Sequence, residues 1–256
     1  MSFIFDGQRL SDFGYVEFAE GLRSDNLTVS SMVFETIKSA LSDVSLRVNH
    51  TYESNYSTVL MITKNPCNDI DDLWLTEDDV ALLTRWLVRK TYKWFKYTDS
   101  NVWYKVQNVV EKIYHGDDIL GLSITVNANA PFGFTDEIEH SWESEPSFNI
   151  KCISDEEGII YPDVEITANE AGNLMMMNDR GNNTVICNLS VGEKIYITGG
   201  NILQIKTSKT DHDLSEDFNY KFPQLVSEYN NYINKYTVNL DCDITMRYRG
   251  VRKVGL

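Results

Sequence analysis

Residues 238–249 read Val-Asn-Leu-Asp-Cys-Asp-Ile-Thr-Met-Arg-Tyr-Arg. Val238, Leu240, Cys242, Ile244, Met246 and Tyr248 fall on one phase of a period of two. Asn239, Asp241, Asp243, Thr245, Arg247 and Arg249 fall on the other. Successive side chains of a strand point to opposite faces, so this pattern predicts one strand with a buried face and a wet face. A slip of one residue would turn the charges inward, which fixes the register.

The same period organises the rest of the second half. Val164 and Ile166, then Val185, Cys187 and Leu189, then Ile195 and Ile197 alternate with polar neighbours. Val191-Gly192 and Gly199-Gly200 are turn signals between them, and Ile202-Leu203-Gln204-Ile205 returns from the second. Short strands at this spacing point to a β-sandwich. Met175-Met176-Met177 reads as a strand with both faces covered, or else as an adhesive surface.

The first half is also β-rich but contains one helix. Phe3 to Phe5 with Asp6-Gly7 is a short strand and a tight turn. Val44, Leu46 and Val48 alternate with Ser45, Arg47 and Asn49, and Thr58–Ile62 is apolar on both faces, as expected of a central strand. Asn65-Pro66 ends it, and an acidic loop follows. Thr76 then stands as a helix N-cap, with Glu77, Asp78 and Asp79 in the first turn and Asp79 at the capping-box position. Val80, Leu83, Trp86, Leu87 and Lys90 recur at helical spacing, with Arg85, Arg89 and Lys90 at the C-terminal end. Strand pattern resumes at Val102–Val110 and Leu120–Val126. Pro131, Gly133 and the acids of 136–145 mark a boundary, giving domains 1–135 and 136–256.

Composition bounds the function. Of 256 residues, 42% are hydrophobic and 24% charged, with 14 Tyr, 11 Phe and 5 Trp, so the chain has the material for packed cores. Its net charge is −15, spread as −6 up to residue 135 and −9 after it. Neither half offers the basic face that neutralising phosphates requires, so direct nucleic-acid binding is not expected. No apolar run reaches the roughly 18 residues of a spanning helix, so no membrane insertion is expected. The opening MSFIFDGQRL lacks the apolar stretch of a signal peptide. Cys67, Cys152, Cys187 and Cys242 are widely spaced and read as reduced, mostly buried small hydrophobes. Asn26 and Asn182 begin Asn-x-Thr/Ser-type triplets that read as chance in such a chain.

No catalytic, cofactor or metal constellation emerges. His50, His115, His140 and His212 belong to no HExxH pattern and adjoin no cysteine at ligand spacing. Asn68–Asp72 is acidic, but Leu73, Trp74 and Leu75 stand where a calcium loop stays polar. Asp211–Asp217 reads as an acidic loop. Arg85–Lys96 interleaves bases with Trp86, Tyr92, Trp94 and Phe95, a mixture that can grip single strands, here read as core packing at a helix end. The chain is expected not to be an enzyme.

Several features, taken in order, resemble the distal tail proteins of long-tailed bacteriophages. They are Phe3-Ile4-Phe5-Asp6-Gly7 with Ser11-Asp12-Phe13-Gly14, paired strands around 44–64, and the capped helix with Leu83-Thr84-Arg85-Trp86-Leu87. Ala130-Pro131-Phe132-Gly133 closes the first half. Tyr161-Pro162, Asn178–Gly192, the Gly199-Gly200 hairpin, Phe222-Pro223-Gln224-Leu225 and Arg247-Tyr248-Arg249 follow. One departure is Val226–Lys235, which stands where the family often has a Gly and an Asn before the final strand. The resemblance implies a mainly β fold, with a β-sandwich-like N-terminal domain carrying one helix and a galectin-like C-terminal β-sandwich. It implies a homo-oligomer, a hexameric ring at the virion tail tip, made in the host bacterial cytoplasm. The ring would join the tail tube protein to a tail-tip or tail-associated protein and to receptor-binding or baseplate proteins. Two other readings stand beside it. A lectin-like module would use an exposed aromatic, with Trp142 the only tryptophan of the second half. A glycan hydrolase would need two carboxylates facing one cleft.

Overall fold

The computed structural model describes residues 2–18, 32–38, 45–52, 55–67, 73–200, 202–228 and 232–253. Asn26, Val44 and the Asn68–Asp72 stretch of the sequence reading lie outside them. The chain forms two compact units: one runs to Phe134 and takes in Arg252, and the other is Thr135–Val251.

The first unit contains β1 (Phe3–Phe5), β2 (Gln8–Arg9), β3 (Tyr15–Phe18), β4 (Met32–Lys38), β5 (Ser45–Tyr52) and β6 (Ser57–Lys64). Helix α1 (Glu77–Leu87), β7 (Lys93–Tyr97), β8 (Tyr104–His115), β9 (Asp118–Ala128) and β10 (Gly133–Phe134) follow. Seven strands make one antiparallel sheet in the order β2-β1-β7-β8-β9-β6-β3. Helix α1 supplies the facing layer: Val80, Leu83, Trp86 and Leu87 are buried in the core that also holds Phe3, Phe5, Phe95, Val106, Leu122 and Ile124.

The capping box forms as read from the sequence. The Thr76 hydroxyl accepts the Asp79 amide at 3.2 Å, and Asp79 Oδ2 accepts the Thr76 amide at 2.8 Å. The helix stops at Leu87, so Arg89 and Lys90 lie beyond it, and the chain re-enters the sheet as β7, a strand the aromatic run had concealed.

One pairing and one burial pattern differ from expectation. Strands 45–52 and 57–64 do not pair with each other. β5 pairs with β4, while β6 lies between β9 and β3. Nor is β6 covered on both sides. Leu60 and Ile62 are buried, but Val59 is 56% exposed, because α1 covers only one face of the sheet. Periodicity reports phase and not partner, and an apolar residue on the outer face mimics a covered one.

The second unit contains β11 (Ile138–Glu143), β12 (Ser147–Lys151), β13 (Gly158–Ile160), β14 (Asp163–Ala168), β15 (Gly172–Asn178) and β16 (Asn183–Leu189). It continues with β17 (Lys194–Thr198), β18 (Gln204–Thr207), the one-turn helix α2 (Leu214–Asp217), β19 (Leu225–Ser227), β20 (Ile233–Val238) and β21 (Cys242–Tyr248), and the last described strand is β22 (Val251–Arg252). A five-stranded sheet, β11-β21-β14-β17-β18, and a four-stranded sheet, β12-β20-β15-β16, share one core. The fold is mainly β, as expected.

The stretch that opened the sequence reading is two strands. Val238 ends β20 in the four-stranded sheet, and Cys242 begins β21 in the five-stranded one. All six apolar residues are nonetheless buried, because the connecting residues preserve the phase while the chain crosses between sheets.

In β16 the buried phase is Thr184, Ile186 and Leu189, so Val185 and Cys187 are only half-buried. The strand carries one extra residue against β15: Gly172 pairs with Leu189, but Leu174 pairs with Ile186. Asn188, at φ 56°, absorbs it, as a bulge residue does. Met176 is buried, whereas Met175 and Met177 are 41% and 39% exposed, so that strand has one covered face. Cys152 and Cys242 are buried, Cys187 is half-buried and Cys67 is exposed; all four are free thiols.

Candidate functional site

In the first unit the residues that carried the family resemblance converge on Trp86. Its ring stacks on Phe3 and Phe13, with centroids 5.9 and 4.5 Å away, and meets Phe5 edge-on at 6.0 Å. The indole N–H donates to the Phe5 carbonyl at 3.1 Å, so the buried polar edge is satisfied. Leu87 is fully buried beside it, and its carbonyl accepts the Asn108 side-chain Nδ2 at 3.2 Å.

The glycines of the motif shape the approach. Asp6 and Gly7 both have positive φ, 50° and 79°, as a two-residue hairpin turn between β1 and β2 demands. Asp6 is ion-paired with Arg89 and Lys93, each at 3.3 Å. Ser11 and Asp12 are exposed on a single 3-10 turn, Leu10–Phe13, whose end is closed by the Gly14 amide donating to the Ser11 carbonyl at 3.0 Å. Pro131 is half-buried ahead of β10, outside this cluster. In the second unit Phe222 packs edge-on against Phe218 at 5.1 Å, Pro223 is buried, and the Phe222 carbonyl accepts the Asn182 side chain at 2.7 Å. Phe5, Phe13, Trp86 and Leu87 build the first core and Phe222 packs against the second, while Ser11 and Asp12 stay at the surface.

Asp79 ties the helix start to the sheet. Beyond its bonds to Thr76, it accepts the Tyr15 hydroxyl at 2.9 Å and pairs with Lys64 at 3.2 Å. Burial works against its charge, but the bonds from Thr76, Tyr15 and Lys64 outweigh burial and hold the carboxyl down to about 2.

The run Arg85–Lys96 divides between two environments. Trp86 belongs to the core, whereas Trp94 lies on the opposite phase from buried Phe95. Lys105 sits over the Trp94 ring at 5.0 Å, and Lys96 over Trp103 at 4.8 Å. The two cross-strand pairs place each lysine above the neighbouring strand's tryptophan, an attraction between cation and ring face.

The least expected cluster is in the second unit. Glu193, in the turn before β17, has a fully buried side chain, and the His212 ring is only 7% exposed. Glu193 Oε1 accepts the Thr207 hydroxyl and faces His212 Nδ1, both at 2.5 Å, while Oε2 accepts the Ser190 amide at 3.0 Å. His212 Nε2 lies 3.1 Å from Asp217 on α2. Burial opposes both charges, yet the mutual bonds outweigh it: the Glu193 carboxyl is held below, and the His212 imidazole above, its ordinary range. Sequence reading took 211–217 as a loop and did not single out Glu193. Its partners lie 14 and 19 residues downstream, and only the β17–β18 hairpin brings them back.

Trp142, the aromatic a sugar site would use, stacks on Phe148 with centroids 4.0 Å apart and on His140 at 5.8 Å. It packs against the second core instead of standing free. Among the described residues no group of three His, Cys, Asp or Glu could hold a metal ion, and no helix is long and apolar enough to cross a membrane.

Comparison with solved structures places the fold beside those of phage tail components. The SPP1 Dit (gp 19.1) protein, described as a paradigm of the hub adsorption apparatus in phages infecting Gram-positive bacteria, aligns with a TM-score of 0.65 at 12% identity. The alignment covers 97% of this chain and 98% of that one. A chain of the phage p2 baseplate in its activated conformation with Sr gives 0.57 at 10% identity over 96% and 97%. Comparison with curated protein sequences finds no match. The family models do match: a phage tail protein N-terminal domain over residues 1–130 and a phage tail C-terminal domain over 132–248. Together they span nearly the whole chain, which therefore belongs to this family of phage tail proteins.

Proposed function

We propose that this phage tail protein is the hub subunit of the tail tip. Six copies close into a ring. The ring joins the tail tube protein to a tail-tip protein and to receptor-binding or baseplate proteins. It works by assembly, without catalytic turnover, without contact to nucleic acid and without membrane insertion, after synthesis in the host cytoplasm.

The observation that carries this reading is the likeness of fold to SPP1 Dit over almost the full length of both chains. The surface gives physical support. Val59 and Val109 both flank Thr125 in the register of the first sheet, and both are more than half exposed. This apolar row lies on the face that α1 leaves uncovered. A ring requires heterologous interfaces that close on themselves, and an outward apolar sheet face can supply one side of such a contact.

Immunogold labelling of intact tails with an antibody to residues 135–251 tests the placement. Gold at the distal end supports the proposal. Gold along the tail shaft, or at the head-proximal end, overturns it.

A further inference from the structure

Each open side of a two-sheet sandwich exposes unpaired strand edges, and proteins usually cover such edges. Here β16 and β18 are edge strands of the two sheets. The segment between β18 and β19 contacts both through α2. Phe218 forms a β-bridge to Ile186, and Asn219 imitates a neighbouring strand: its Oδ1 accepts the Val185 amide at 3.1 Å and its Nδ2 donates to the Asn183 carbonyl at 2.7 Å. Residues 208–219 are therefore a flap over the β16 edge.

What fastens the flap is ionic. His212 has both ring nitrogens against carboxylates, Glu193 at 2.5 Å from the turn before β17 and Asp217 at 3.1 Å from α2. A neutral imidazole has one N–H, so only the imidazolium donates to both. Asp217 is in turn held by Asn188 of β16 at 2.8 Å. Of the other charged groups nearby, Asp213 is exposed on the flap itself and feels the His212 charge, and Lys194 is turned to Glu165. Among the described residues no lysine or arginine is ion-paired with Glu193 or Asp217, so the latch has one cation.

We infer that residues 208–219 form a pH-sensitive flap over the β16 edge, latched by the His212 imidazolium between Glu193 and Asp217, that opens as the imidazolium loses its proton.

The sign follows from the two shifts. The His212 pKa is raised in the fold, so its contribution is complete below its ordinary value of 6.5 and is lost as pH rises through the folded value. That of Glu193 is lowered, so its contribution is complete above 4.5 and is lost as pH falls through the folded value. The latch is tightest between these limits.

Hydrogen–deuterium exchange of the full chain at pH 6 and pH 9, corrected for intrinsic rates, tests this. The expected result is exchange faster by on the order of tenfold at pH 9 for residues 208–219 and for the Val185 amide, with β14 and β21 unchanged. His212→Gln keeps a hydrogen-bonding side chain but no cation, so it should exchange at pH 6 as the wild type does at pH 9 and lose the pH dependence. A purely structural histidine would shift protection equally at both pH values. Equal protection of the wild-type flap at pH 6 and pH 9 overturns the inference, and so does a His212→Gln chain that retains the wild-type pH profile. The wild-type profile stands as a test even if the variant does not fold.

Discussion

The two units solve the same burial problem in different ways. In the second, two sheets cover each other's inner faces, and Ile166, Met176, Ile195 and Met246 are fully buried between them. In the first, one sheet is covered by one helix, and the opposite face keeps Val59 and Val109 in the open. Two facing sheets spread their burial over the inward residues of many strands. A sheet facing a helix can depend on one large residue, and Trp86 occupies that place. The difference separates a unit whose stability is distributed from one whose stability is concentrated, with spare apolar surface for neighbours.

Trp86→Ala should break the comparison most sharply. It removes the ring contacts with Phe3, Phe5 and Phe13 and the indole bond to the Phe5 carbonyl, a cost of about 3–5 kcal/mol for a buried aromatic. Exchange protection should collapse in the β1, β7 and α1 segments while β14 and β21 keep theirs. Equal loss in both units would show that the cores do not stand independently.

Asp79→Asn comes next, with a loss of about 2 kcal/mol, the equivalent of the lowering from 3.8 to about 2. The lowered carboxyl stabilises the first unit fully above pH 3.8 and loses that effect as pH falls toward 2. Acid titration of the wild type followed at α1 should show this loss, and the variant should not. Thr76→Ala, which deletes the cap hydroxyl, should cost about 1 kcal/mol by denaturant unfolding. The smallest effect belongs to Val59→Thr and Val109→Thr together. Each lies on the uncovered face, and the folded chain should change by no more than about 0.5 kcal/mol per site, while self-association weakens measurably by sedimentation.

How far the sequence was legible depended on the range of each signal. The Thr76–Asp79 cap and the α1 stripe from Val80 to Leu87 are local signals and legible, whereas Lys90, at the same spacing, lies beyond the helix end. The buried phase of 238–248 was also correct, but its division between two sheets was hidden, because the residues linking β20 to β21 keep the alternation intact. The bulge at Asn188 shifted the phase of β16 without any Gly or Pro to mark it. The β4–β5 pairing and the Glu193–His212 latch depend on partners distant in the chain, and no period reports a partner. The motif residues around Trp86 were visible as a set, but their convergence on one ring required the fold.

The claim on which the account rests is that the chain acts by closing a ring of its own copies. Light scattering of the purified full chain, with class averages from negative-stain electron microscopy, addresses it most directly. The expected result is a mass of six chains and six-fold rings with a central opening. A monomer at every concentration tested, even when mixed with its tail tube protein, would contradict it.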